Sequence, residues 1–118
     1  MSVEIEGLGE WESWMGSISD EIADEVINAV DKSTSNVHKG ARFRVPVDTG
    51  DLRKSITKEM NSSRTNPEGE VYTELEYGDD VELGTYKQRA QPYMFPALED
   101  ELPKFEKNLK DAVRKGLD

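Results

Sequence analysis

Cysteine is absent from the 118-residue chain and histidine occurs once. No apolar run approaches the roughly 18 residues that a membrane helix needs. The missing cysteines exclude disulfides and thiolate metal sites and leave the compartment open. The lone histidine, His38, has no imidazole or thiol partner in the sequence for ligation or proton relay, and it reads as a surface residue on the polar side of a helix. The N-terminus is acidic where a secretory leader would be basic, so a soluble, unsecreted chain without a membrane partner is expected. Its length fits one domain with a modest core.

Charge of one sign is also missing over long stretches. Acidic residues outnumber basic ones by 25 to 15, a formal net charge of -10. Met1 to Asp31 holds nine acids and no Lys or Arg, and Glu68 to Glu82 holds seven acids and again no base. Positive charge is gathered at Lys39, Arg42, Arg44, Arg53 and Lys54, at Lys87 and Arg89, and along the C-terminal segment. Affinity for nucleic acid is led by neutralising phosphates, so specific nucleic-acid binding is not expected. Segregated signs suit either solvated surface or copies of the chain that meet head to tail through opposed faces.

What is present is periodicity of two kinds. Ile18, Ile22, Val26, Ala29, Val30, Ser33, Val37 and Ala41 recur at three- and four-residue spacing. With a cap at Ser17 or Ser19, acids in the first turn, and Lys39 and Arg42 near the end, they predict one helix of about 24 residues. Its Ser- and Thr-rich middle, Lys32 to Asn36, is a place to fray or bend. Glu70 to Tyr77 alternates, with Val71, Thr73, Leu75 and Tyr77 toward a core and Glu70, Tyr72, Glu74 and Glu76 outward, and predicts a strand. Ser55 to Met60 predicts its partner across the polar connection Asn61 to Gly69. Leu98, Leu102, Phe105, Leu109 and Val113 form the stripe of a last helix opened near Pro96, with Pro103 inside to kink or split it and Gly116 at its C-cap.

The expected fold is α+β: a long N-terminal helix, a small antiparallel sheet with a hairpin, and a C-terminal helix packed on the sheet. Residues 1–16 carry Trp11 and Trp14 without a clear period and are expected to be flexible or to pack on a partner, ahead of a single domain over 17–118. Trp11 and Trp14, together with Lys87 and Arg89 in an exposed loop from Thr85 to Pro92, are the candidate partner contacts.

Val45 to Ile56 is the corner that joins the two halves. Pro46 ends the long helix and holds Val45 extended, Asp48 or Thr49 can accept from backbone N–H groups of the next turn, Gly50 permits positive φ, and Leu52 resumes an ordered element. Asp48-Thr49-Gly50 is also the tripeptide of aspartic proteases, whose short retroviral forms supply one carboxylate each to a homodimeric dyad. Those enzymes are all-β, and here Asp51 and Arg53 follow where a small apolar residue is expected. A homodimeric protease acting through Asp48 is therefore the alternative reading. Paired acids between Gly78 and Gly84 invite a metal, yet their spacing does not match a calcium-binding loop, and no metal is expected. Neither a nucleophile–base pair nor a phosphate-cradling glycine loop is visible, so no catalytic residue and no cofactor is expected.

Three segments in series carry a resemblance. Pro46-Val47-Asp48-Thr49-Gly50-Asp51-Leu52-Arg53-Lys54-Ser55-Ile56, Tyr77 to Thr85 with Glu82 and Gly84, and Gln91 to Leu98 with Pro92, Met94 and Pro96 match in order and spacing. They resemble the gene-product-ten-like tail-component family of long-tailed bacteriophages and prophages, over about the last two-thirds of the chain. Gly78 replaces the usual alanine, Leu83 a larger apolar residue and Tyr93 a phenylalanine. The resemblance implies a non-enzymatic α+β subunit of the virion, assembled in the host cytoplasm. It would act at the head–tail junction in tail completion or head–tail joining, in a ring of six beside neck and tail-tube proteins. DNA would pass through such a ring, and Glu70, Glu74 and Glu76, or Asp79 and Asp80, would supply an acidic wall that repels it. Residues 1–16, 61–69 and 85–91 would be mobile and order on docking. An adaptor that docks a non-virion partner through Trp11 and Trp14 is a third reading.

Overall fold

The fold is set by one long amphipathic helix that carries a small sheet and a second long helix, and the second helix also packs on the sheet as expected, its Ala97 and Phe105 sharing the core with Val3, Ile5 and Val71. The computed structural model describes residues 1–6, 12–46 and 50–117. Strand β1 (Ser2–Glu6) is followed by α1 (Glu12–Ser17) and then by α2 (Asp20–Arg44). Helix α3 (Gly50–Ser55) turns the corner into the antiparallel pair β2 (Thr57–Asn61) and β3 (Glu68–Tyr72). Short α4 (Tyr77–Leu83) and long α5 (Met94–Leu117) complete the chain. The architecture is α+β, with strand order β1-β3-β2.

Helix α2 starts where the capping signal places it. Ser19 is extended, its hydroxyl accepts from the Ile22 amide at 3.3 Å, and Asp20 and Glu21 sit at the positive end of the dipole. It ends at Val45, held extended before Pro46 with its N–H still bonded to Ala41. Its Ser- and Thr-rich middle does not fray. Ser33 and Thr34 are buried, and the Thr34 hydroxyl donates back to the Val30 carbonyl, so both are packing residues. Helix α5 runs antiparallel to α2: Gly40 lies against Ala97, Ser33 and Asn36 reach Glu101, and Lys115 pairs with Glu25.

Several expectations need correction. Residues 2–6, read as part of an unpatterned flexible segment, form the edge strand β1, with Val3 and Ile5 buried in the core. Strand β3 spans Glu68–Tyr72, not 70–77: beyond it the Thr73 hydroxyl accepts from the Leu75 amide and turns the chain into α4, leaving Tyr77 partly exposed. Helix α5 opens at Met94 and continues through Pro103 and Gly116. Leu102 is 47% exposed, and the buried stripe runs instead through Met94, Ala97, Glu101, Phe105 and Ala112. Glu101 occupies an apolar position because the Ser33 hydroxyl and the Asn36 amide both donate to its Oε1. His38 is half-buried, 2.9 Å from the Ile56 carbonyl. The connection 61–69 is pinned: Arg64 donates to the carbonyls of Met15 at 2.5 Å and Ile18 at 2.7 Å, and pairs with Asp20.

The sheet lies on α2 through Gly69. A Cβ added there would stand 1.7 Å from Thr34 Oγ1, so no side chain fits between strand and helix. Gly69→Ala is expected to cost about 2 kcal/mol, read as a lower urea midpoint with an unchanged slope. Stability within about 0.5 kcal/mol of the parent would contradict this packing.

Candidate functional site

The second and third of the three segments meet at one buried carboxylate. Glu82, on α4, is 2% exposed. Its Oε1 accepts from the backbone amides of Tyr93 at 3.0 Å and Met94 at 2.7 Å, and its Oε2 accepts from that of Phe95 at 3.2 Å. A helix start leaves its first N–H groups without intrahelical partners. Here one side chain from another helix satisfies three of them, and the following residue, Pro96, has no N–H to satisfy. The negative charge also stands at the positive end of the α5 dipole, which stabilises it there.

Around this carboxylate the chain is closed tightly. Gly84 ends α4 at φ 78°, its N–H bonded to the Asp80 carbonyl at 2.8 Å. A Cβ at Gly84 would lie 2.7 Å from the Ala90 nitrogen, so glycine is required twice over. The Gln91 amide returns to the Val81 carbonyl at 2.8 Å, tying the far end of the loop to α4. Between these points Thr85 shapes a turn: its hydroxyl accepts from the Lys87 and Gln88 amides, and its backbone exchanges bonds with Gln88. Tyr86, 94% exposed, projects from this turn with Lys87 stacked 5.4 Å from its ring centre, and Arg89 is also exposed. The loop expected to be mobile thus has its own internal bonding.

Tyr93 fixes the other side. It is fully buried and its hydroxyl donates to the Gly78 carbonyl at 3.0 Å. Burial pushes the phenol well above its usual pKa, and the charges of Glu82 and Asp79 push it further. The corner joins through Leu52, buried in the same cluster as Val81, Tyr93 and Met94. Ser55 donates to the Leu52 carbonyl, so the Thr73 hydroxyl is the donor in the 2.6 Å bond between Thr73 and Ser55. Pro46 follows the helix stop as expected, while Gly50 opens α3 without positive φ; among the described residues only Gly84 takes it. Pro92 is exposed, Met94 buried and Pro96 half-buried. Arg53 lies apart, in an open groove with Lys39, Arg42 and Phe43.

Asp48, Thr49 and Trp11 lie outside the described residues. Trp14 packs at the edge of a second cluster formed by Met15, Ile22, Ala23, Val26 and Ala112. The described residues form five helices and a three-stranded sheet, not the all-β body that an aspartic protease dyad requires. Among the described residues, no group of three His, Asp or Glu side chains is placed to share a cation. Glu101 and Arg64 escaped the sequence reading. Glu101 offered a signal in the small and polar residues of α2 three residues apart, Ser33 and Asn36, while Arg64 offered none.

The family described as "Bacteriophage HK97-gp10, putative tail-component" matches residues 12–84. The match takes in α1 to α4, reaching back before the three segments and stopping at Gly84. The third segment lies beyond it and is joined to it physically by Glu82. No curated protein and no solved structure matches the chain.

Glu82→Ala leaves three amide donors without their acceptor and is expected to cost about 3 kcal/mol, with Glu82→Gln costing about half of that. Urea unfolding checks both, and equal stability of Glu82→Ala and the parent would remove the clamp from the account. Tyr93 supplies a pH test. A phenol whose pKa rises on folding keeps its proton after the unfolded chain has lost its own, so stability is full below about pH 10 and falls above it. Tyr93→Phe is expected to unfold more easily at neutral pH, by about 1 kcal/mol, and to lose less stability than the parent on going above that pH. A parallel alkaline decline in both proteins would contradict it.

Proposed function

Because the chain belongs to the bacteriophage HK97-gp10 tail-component family, we propose that it is a structural virion protein of the head–tail junction, a tail-completion or head–tail joining subunit that works as a hexameric ring. The observation that carries this reading is how the three segments are used. Glu82, Gly84, Tyr93 and Leu52 serve to close bends and fix α4 against α5, and no nucleophile or base is paired among them. Residues so used hold a shape, and the shape they hold presents one rigid loop, 85–91, with Tyr86, Lys87 and Arg89 outward. An exposed aromatic flanked by two cations on a fixed turn suits a neck or tail-tube neighbour.

The acids between β3 and α4 fit the same reading. Glu74, Glu76 and Asp80 are exposed along one short stretch, and a ring that turns them inward repels passing DNA. Asp79 is exposed beside them, and Glu70 lies on the face of the sheet turned away from α2.

The test is complementation of a phage or prophage from which this gene is deleted. Without the gene, filled heads and unattached tails are expected to accumulate, and the parent chain restores joined particles. A chain carrying Tyr86→Ala, Lys87→Glu and Arg89→Glu should fold normally and lower the yield of joined particles at least about 100-fold, since charge reversal at a contact costs several kcal/mol. Joined infectious particles in the deletion itself would overturn the junction role, and full rescue by the triple variant would overturn the loop as its contact.

A further inference from the structure

The sheet and the long helix present opposite charges on opposite sides of the molecule. On the face of the sheet turned away from α2, Glu4 stands directly across from Glu70, and Glu70 directly across from Glu59. Like charges in cross-strand register destabilise a sheet, and Ser2, Thr57, Asn61, Glu68 and Tyr72, which share this side by alternation, add no cation. The Tyr72 hydroxyl donates to Glu59 at 2.8 Å. That bond first, then desolvation, and then the charges of Glu59, Glu74 and Glu70 raise the pKa of the phenol. Glu4, Glu59, Glu68 and Glu70 line an open depression of about 150 Å³.

Helix α2 separates this face from its complement. Val30, Val37 and Ala41 point into the core, and Lys39, Arg42 and Phe43 lie on the far side of the helix. With Arg53 they line an open groove of about 310 Å³. Phe43 is 85% exposed. Among the described residues none of the three cations is in an ion pair, and the Arg53 Nε is buried without an acceptor. Lys39 and Arg42, both exposed, are open to carboxylates from outside the chain.

We infer that the groove of Lys39, Arg42, Phe43 and Arg53 receives the glutamate face of a second copy of this chain, Glu59 and Glu70 foremost, in a head-to-tail contact. The chain itself carries the matching anions, in register and on the side that its own groove cannot reach. Because the two patches lie on opposite sides, each contact leaves one face open at either end, and repetition yields a closed ring or a filament. The inference rests on the ring reading above and names the surfaces that make it.

Sedimentation velocity of the full chain over a concentration series tests it, with two variants, Lys39→Glu/Arg42→Glu and Glu59→Lys/Glu70→Lys. The parent is expected to associate at roughly 0.1 M salt and to dissociate toward about 1 M, where the screening length falls from about 10 Å to 3 Å. Each variant alone is expected to associate at least about 100-fold more weakly. Mixed together they should associate again, since the intact glutamate face of one meets the intact groove of the other and the two reversed patches are themselves of opposite sign. Should a reversal fail to fold, Arg42→Gln and Glu59→Gln take its place. A parent that stays monomeric, variants that assemble like the parent, or a mixture that forms no pair would each overturn the contact. Assembly indifferent to both reversals sinks this contact and leaves the junction role standing. A phage that joins heads to tails without the protein does the reverse.

Discussion

One carboxylate holds the C-terminal half of the molecule together. Glu82 is removed from water, which is costly for a charge, and that cost is offset only because three backbone amides and a helix dipole converge on it. The arrangement fixes the position of α4 relative to α5 without a shared strand or a disulfide. Tyr93 can then bury its ring beside Leu52, and the loop between Gly84 and Gln91 is closed at both ends. The corner, the short helix and the opening of the last helix become a single rigid unit. For a tail component this matters because a subunit that fits between neighbours needs fixed surfaces more than reactive groups.

Rigidity at the clamp is combined with polarity across the layers. Helix α2 is shared: its apolar stripe meets both the sheet and α5, and its outer side carries Lys39, Arg42 and Phe43. The sheet turns its valines and isoleucine toward α2 and its glutamates outward. The segregation of charge along the sequence therefore becomes segregation across space. A net charge of -10 keeps isolated copies apart at long range, and in the proposed head-to-tail contact it is the local complementarity of the two faces that sets the orientation.

Much of this was legible in the residues. The bounds of α2 followed from Ser19, the first-turn acids and Pro46, because caps and proline act locally and override little else. The α+β architecture followed from the change of period after the corner. Four features were not legible, and each depends on distant partners. Val3 and Ile5 are too short an alternation to announce a strand until β3 lies beside them. Leu102 looked buried and Glu101 drew no reading, since single-sequence periodicity cannot foresee that Ser33 and Asn36 would stand opposite and satisfy a carboxylate. Pro103 lies within a continuous α5 because the packing of that helix on α2 outweighs one lost backbone bond. The motif Glu82-Leu83-Gly84-Thr85 was visible as a motif, but the role of its glutamate as a cap for another helix was not.

The central claim is that the Glu82 carboxylate binds the first amides of α5 in the native protein. Amide hydrogen exchange resolved by residue measures this directly. If the clamp exists, the Tyr93, Met94 and Phe95 amides, which precede any intrahelical partner, exchange as slowly as amides in the middle of α2, opening only with global unfolding. Exchange of these three at the rate of a freely solvated helix end would contradict it.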